Sequence, residues 1–339
     1  MKKWLIGNSI EELNRVVGEF SFPNYRAAQI AEWIYKKRLS SIEGMTTLSK
    51  EDRELLSSKY EVGGFKPKVV SRSIDGTAKY LFPSLTSTNI EAVTIPSGER
   101  LTLCLSTQAG CRMGCKFCMT ARMGFKGDLS AGEIVSQFLN VEESSQITNI
   151  VYMGMGEPLD NIENVLQSLE ILTAPWGFAL SPRRITLSTI GIYQPLKRFL
   201  EESECHLAIS LHNPFPKERA SLMAVQNRED IHNIVELIRG YNFSGQRRVS
   251  FEYILFSGWN DTKRHADAIV NLLRGIRCRV NLIRYHSIPN FPFKSSPEPI
   301  IELFKERLSK GGILTTVRAS RGEDILAACG LLNAFESYD

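Results

Sequence analysis

Three rhythms of apolar and polar residues follow one another along the chain. Up to about residue 65 the spacing is helical. "YRAAQIAEWIYKKRL" predicts a helix with Ile30, Trp33 and Ile34 on one face and Arg26, Lys36 and Lys37 elsewhere. Ser49, three residues before Asp52 in "SKEDRELL", marks a helix start. After "GGFKPK" the texture turns to β. "KVVSRSIDGTAKYLF" predicts two strands around an Asp75-Gly76 turn, and "IEAVTIPSGERLTLCLS" a second hairpin around Ser97-Gly98.

From about residue 101 short apolar strands alternate with helical stretches. The predicted strands are "LTLCLS", "ITNIVYMG", "RRITLST", "HLAISLH", "RVSFEYILF", "CRVNLIRY" and "GILTTVRAS". Between them lie helical segments such as "IENVLQSLEILTA", "QPLKRFLEE", "IHNIVELIRGY", "KRHADAIVNLLRG" and "PIIELFKERLSK". This alternation predicts an α/β fold of parallel strands with right-handed helical crossovers, as an open sheet or a barrel. The expected division is a helical unit over 1–65, a β-hairpin region over 66–100 and an α/β core over 101–339. Chemistry in such folds sits at the C-terminal ends of the strands.

Composition narrows the class only a little. With 339 residues, 43% apolar and 23% charged, the chain can bury a full core. A net charge of +4 is mild support for an acidic partner such as RNA, contacted through local patches. Lys36, Lys37 and Arg38, Arg183 with Arg184, and Arg247 with Arg248 are candidate phosphate binders, each equally readable as solvated surface charge. The start is a poor signal peptide, and no run of 18 apolar residues occurs, so a cytoplasmic protein is expected, with no membrane partner. No exposed apolar seam is evident, which favours a monomer. In that compartment seven cysteines read as ligands, nucleophiles or buried thiols rather than as a disulfide framework.

Three of those cysteines change the picture. Cys111, Cys115 and Cys118 in "GCRMGCKFCMT" follow the first strand of the parallel series, with no fourth ligand close by. A structural zinc site takes four protein ligands, and a three-ligand one usually brings His or a carboxylate. A 4Fe–4S cluster accepts three thiolates and leaves one iron open. The C-x3-C-x2-C spacing, with Phe117 before the last cysteine, resembles the radical S-adenosylmethionine superfamily. There the open iron chelates the amino acid end of the cofactor. A zinc loop or a group of buried thiols is the plainer alternative.

Other strand ends fit a cofactor groove. "VYMGMGEP" brings Gly154, Gly156 and Glu157, whose carboxylate can accept from an ammonium group. "TLSTIG" offers Ser188, and "AISLHNP" offers Ser210 and His212. Each alone is equally a satisfied polar residue at a strand exit. Cys205 and Cys278 read as buried, inert thiols at strand starts. Cys104, in the strand leading to the cysteine loop, and Cys329, beyond the last strand, stand out by their surroundings.

Taken together, "TLCLSTQAGCRMGCKFCMTARMGF", "MGMGEP", "RRITLSTIG", "AISLH" and "RASRGEDILAACG" resemble the RlmN/Cfr family of radical-SAM RNA methyltransferases, over nearly the whole chain. The resemblance implies a partial β/α barrel with a small N-terminal helical accessory domain, a candidate for RNA contact. It implies a 4Fe–4S cluster on Cys111, Cys115 and Cys118. S-adenosylmethionine would be held by Gly156, Glu157, Ser188, Ser210, Leu211 and His212, and by His286 where the family has asparagine. It makes Cys329 the methyl-carrying cysteine, Cys104 the resolving cysteine and Glu91 the proton acceptor.

The implied reaction methylates an electron-poor adenine carbon in ribosomal or transfer RNA, carbon 2 being favoured over carbon 8. An S-methylcysteine intermediate carries the methyl group, and an electron donor and a thiol reductant are required partners. The adenine must leave its stack to react. The sequence departs from the family at Met119, where a small residue is usual, at His286, and in lacking a longer basic tail after Cys329. The last two departures point to a divergent branch. The alternative is a radical-SAM enzyme acting on a peptide or small molecule, which would have no use for paired Cys104 and Cys329. A metal-stabilised RNA-binding protein would instead need a fourth fixed ligand.

Overall fold

The computed structural model describes residues 2–243, 245 and 247–332. The stretch after Cys329, on which the expected difference from the family's basic tail bears, is described only as far as Leu332.

Ten strands form one sheet: β1 (Val69–Arg72), β2 (Ala78–Pro83), β3 (Asn89–Ser97), β4 (Arg100–Cys104), β5 (Asn149–Tyr152), β6 (Ile185–Thr189), β7 (His206–Ser210), β8 (Val249–Leu255), β9 (Cys278–Arg284) and β10 (Leu314–Val317). They lie side by side in sequence order, β1 at one edge and β10 at the other. Strands β1 to β4 pair antiparallel; from β4 to β10 every pairing is parallel. The edges do not meet, so the seven parallel strands make a partial barrel, as the family resemblance implies and within the alternatives left by the alternating pattern. The two hairpins continue that sheet through β4, which pairs with β3 on one side and β5 on the other.

Register explains the sequence texture. Cys104 pairs with Val151, Ser188 with Ala208, Ser210 with Glu252, Glu252 with Asn281, and Asn281 with Thr316. Directly paired residues share a face, so the inner face is small and polar. The opposite face carries Leu103, Ile150, Leu187, Ile209, Phe251 and Leu282, all buried under the crossover helices. A closed barrel usually fills its interior with branched apolar side chains; this one leaves room.

Crossover helices span Ile162–Thr173, Tyr193–Glu202, Ile231–Arg239, Lys263–Leu272 and Glu298–Lys310, each overlapping its predicted segment. A further helix, Ala131–Asn140, starts with a capping box. The Ser130 hydroxyl accepts from Glu133 N at 3.2 Å, and the Glu133 carboxylate accepts from Ser130 N at 2.9 Å.

The N-terminal unit has its own apolar core around Leu13, Ile30, Ile34 and Leu56, closed against Val135 and Ile171 of two core helices. Ser49 caps its helix as expected, accepting from Asp52 N at 3.0 Å. The helix from Tyr25 departs from the pattern, because it widens into a π-type turn over Glu32–Lys36. The extra residue per turn brings Tyr35 inward, where its hydroxyl donates to Asn8 O at 2.9 Å. Trp33 is therefore only partly buried, with the Lys37 ammonium 3.7 Å from its ring centre. The second hairpin turns at Gly98-Glu99, one residue later than expected, because Ser97 still pairs with Arg100.

Candidate active site

A cavity of about 250 Å³ opens at the C-terminal ends of the parallel strands. Cys104, Cys111, Cys115, Cys118 and Cys329 all line it, although the last is far away in sequence. Gly156, Glu157, Ser188, Ser210, His212 and His286 line it too. Leu211 and Glu91 are not among the lining residues.

The cysteine loop is shaped by glycine and backbone bonds. Gly110 has a φ of 71°, and a Cβ there would stand 1.8 Å from Gly124 O, so only glycine fits. Burial pushes the Cys111 thiol up to about 12 and raises Cys115 and Cys118 as well. Such thiols ionise on binding a metal that supplies compensating charge. Among the described residues no three His, Cys, Asp or Glu side chains converge tightly enough to hold a single metal ion. A four-iron cluster, whose ligands bind different corners of a wider body, fits three thiols that line the same cavity.

Glu157 is held rigidly. Its carboxylate accepts from Leu159 N at 3.0 Å, Ile190 N at 3.0 Å and the Thr189 hydroxyl at 2.5 Å. Burial pushes it up to about 7, with the three donors acting in the opposite sense. A cation arriving in the cavity would complete it. The neighbouring glycines serve a purpose the sequence alone did not show. A Cβ on Gly154 would meet Leu105 O at 2.6 Å, and one on Gly156 would meet Gln108 Cβ at 2.5 Å. Their close approach is to the chain after β4, which Gly154 N, Thr107 N and Glu157 N zip to this turn.

His212 adopts a left-handed backbone, φ 51°, strained for a non-glycine residue. Its Nδ1 accepts from Ile254 N at 3.1 Å, which leaves the proton on Nε2. Burial first and Arg219 second pull it down to about 3, so it stays neutral. Leu211 is buried in the wall, and its carbonyl accepts from Arg219 Nε at 3.1 Å. His286 stands 3.3 Å from the Ser320 hydroxyl and 3.5 Å from the Glu323 carboxylate.

Burial pushes Cys104 up to about 12, Cys329 adding to the effect and Arg318 opposing it. Arg318 lies 3.5 Å from Glu252, whose carboxylate also accepts from Asn281 at 2.7 Å and Ser250 at 3.1 Å. Neither Arg318 nor Glu252 was singled out in the sequence, and only the inward register of their strands could have found them. Cys329 is exposed within the cavity mouth, its segment tied by Met119 N to Gly330 O at 2.8 Å. Glu91 is 1% exposed and pairs with Lys79 at 3.0 Å, on the sheet face it shares with Cys104.

The basic pairs fare differently. Arg183, Arg184, Arg247 and Arg248 precede β6 and β8, at the end of the barrel opposite the cavity. Arg247 is also fully engaged, donating to the carbonyls of Phe199, Leu200 and Cys205. It caps a helix and is no phosphate site. Cys205 is buried, as expected of an inert thiol, and Cys278 is partly so.

The comparisons agree with this geometry. Residues 105–269 match the Radical SAM superfamily model, and residues 5–62 match the ribosomal RNA large subunit methyltransferase N-terminal domain. A probable dual-specificity RNA methyltransferase RlmN from Parabacteroides distasonis is 51% identical over 332 residues, covering 98% of this chain and 97% of the relative. The chain belongs to the RlmN family. A second RlmN, from Syntrophus aciditrophicus, is 40% identical over 96% of this chain and 94% of its own length. A radical SAM methyltransferase from Sphaerobacter thermophilus superposes with a TM-score of 0.92 at 37% identity, over 98% of this chain and all of that one. This RlmN-family chain is thus a radical-SAM methyltransferase that uses a 4Fe–4S cluster and S-adenosylmethionine.

Proposed function

We propose that the chain methylates carbon 2 of an adenine in ribosomal and transfer RNA, with Cys329 carrying the methyl group. The observation that carries this reading is the meeting of Cys104 and Cys329 in the cavity that the three-cysteine loop also lines. A generic radical-SAM enzyme needs the loop but gives no reason for two further thiols beside it.

In this reading Cys111, Cys115 and Cys118 hold the cluster. Glu157 receives the cofactor's ammonium group, while Ser188, Ser210, the neutral His212 and His286 line the remaining contacts and Leu211 shapes the wall. Bound together, cluster and cofactor supply both the methyl group and the radical that activates it. Cys329, exposed at the mouth, takes up the methyl group and presents it to the base. Glu91 accepts the ring proton; its register with Cys104 supports the assignment, although it stands behind the cavity wall. Cys104 then attacks the Cys329 sulfur, frees the methylated base and leaves a disulfide for an external thiol reductant. An electron donor must recharge the cluster.

Residues 1–65 form the accessory unit for RNA contact in this proposal, 66–100 the connecting hairpins and 101–339 the catalytic core. Among the described residues no helix is long and apolar enough to cross a membrane. The proposal takes the enzyme as cytoplasmic and monomeric.

The test is peptide mass spectrometry of anaerobically reconstituted protein incubated with S-adenosylmethionine. Cys329 is expected to gain one methyl group. Intact cluster and consumed cofactor without that mass shift would sink the methyl-carrier reading.

A further inference from the structure

Arg219 is among the largest side chains the fold buries completely, at 0% exposure. It lies in the short helix Pro216–Leu222, after β7. Its Nε donates to Leu211 O at 3.1 Å, one Nη to Gln226 Oε1 at 2.8 Å, and the other to Ile190 O at 2.9 Å and Ser210 O at 3.0 Å. Every one of these acceptors is neutral. Among the described residues the other fully buried lysine or arginine, Lys79, has a carboxylate, Glu91, at 3.0 Å. A buried charge held by dipoles alone is costly unless an anion stands near it.

The helix leads directly to the cysteine loop. Met223 N donates to Arg219 O at 2.8 Å, Leu222 O accepts from Lys116 N at 3.0 Å, and Met223 lines the cavity together with Cys115. Burial pulls Arg219 down to about 10; Cys115 is the strongest influence in the opposite direction, followed by the Asp230 carboxylate, which makes no hydrogen bond to it.

We propose that Arg219 is the fixed counter-charge of the iron–sulfur cluster, raising its reduction potential without touching iron. The inference rests on Cys111, Cys115 and Cys118 being the cluster ligands. Three thiolates make the site anionic, and the incoming electron makes it more so. A cation tethered nearby therefore favours the reduced state. All three guanidinium nitrogens are already engaged by protein acceptors, so Arg219 acts through its field. It is a positioning residue for charge, not a catalytic one.

Gln226→Glu tests this almost isosterically. It places a carboxylate oxygen where Arg219 already donates and where Ile231 N donates at 3.2 Å. That cancels the field and keeps the geometry. In iron-loaded full-length protein without S-adenosylmethionine, redox titration followed by electron paramagnetic resonance should show reduction at least tenfold less favourable, a midpoint about 59 mV lower. Arg219→Met should move the same way, and Arg219→Lys should stay within tenfold of wild type. Thermal stability of metal-free Gln226→Glu should not fall, since the buried cation gains a partner.

An unchanged midpoint in Gln226→Glu would overturn the proposal. So would an unchanged midpoint with weakened S-adenosylmethionine binding, which would make the cofactor's carboxylate the anion served. Wild-type protein that loads no cluster would instead sink the ligand assignment beneath it.

Discussion

Glu157 illustrates how one side chain is prepared for its ligand. Three protein donors fix its carboxylate, yet burial keeps it near the midpoint of titration at neutral pH. An ammonium group would remove that conflict by favouring the ionised form. Glu157→Gln is therefore expected to weaken S-adenosylmethionine binding at least about tenfold, the scale of one lost charge-assisted bond. Equilibrium binding to cluster-loaded protein would show this, with the iron–sulfur absorbance retained. In the wild type, affinity should decline as pH falls below about 7, because the carboxylate then binds a proton instead. An affinity flat across that range would mean Glu157 does not meet the cation.

At the scale of elements, the first hairpin does more than extend the sheet. Asp75 in its turn accepts from Gly322 N at 3.0 Å, while Asp324 accepts from Ser73 Oγ at 2.6 Å and Ile74 N at 3.3 Å. Each segment thus caps the other, a few residues before Cys329. The "SIDG" turn was legible as a turn from its composition, but its partner was not. Some 250 residues separate the two in the chain, and no periodicity links them. Asp75→Ala should speed amide hydrogen exchange in residues 321–330 about fivefold, the loss of a net hydrogen bond of about 1 kcal/mol. Exchange elsewhere in the sheet should stay as it is. Uniform acceleration would mean the turn supports the whole fold rather than this segment.

For the molecule as a whole, buried titratable groups of opposite sense set the acid response. Burial, helped by Arg248, pulls His206 down to about 4, and burial pulls His212 down to about 3. Their contribution is present above the unfolded value of 6.5 and is lost as pH falls towards those folded values. Glu157 runs the other way: its contribution is complete below 4.5 and is lost as pH rises through about 7. The two effects oppose each other between 6.5 and 4.5; below that the histidines still change, joined by carboxylates that their partners hold down, such as Asp75 and Glu218. Urea titrations of metal-free protein should therefore show stability falling most steeply below about pH 4.5. His206→Gln, which keeps an acceptor for Arg248 N, should make that fall shallower. An unchanged slope would place the acid sensitivity elsewhere.

By itself the sequence determined the elements and the chemistry they carry. Period-two strands alternating with 3.6-residue helices dictate an α/β fold of parallel strands, as an open sheet or a barrel, because each pattern buries its apolar face in only one way. The C-x3-C-x2-C loop and the strand-end motifs marked the candidate reactive groups, because metal and cofactor chemistry demands particular atoms at short spacing. Local patterns could not reveal the widened turn that trades Trp33 for Tyr35, or the placing of Arg183 and Arg247 at the wrong end of the barrel. Nor could they show that Arg219 is buried among neutral hydrogen-bond acceptors, or that Asp75 holds the segment bearing Cys329. Those are decided by which distant residues the curved, open sheet brings together. Burial and field at a point depend on neighbours from many strands at once, and no window of sequence contains them.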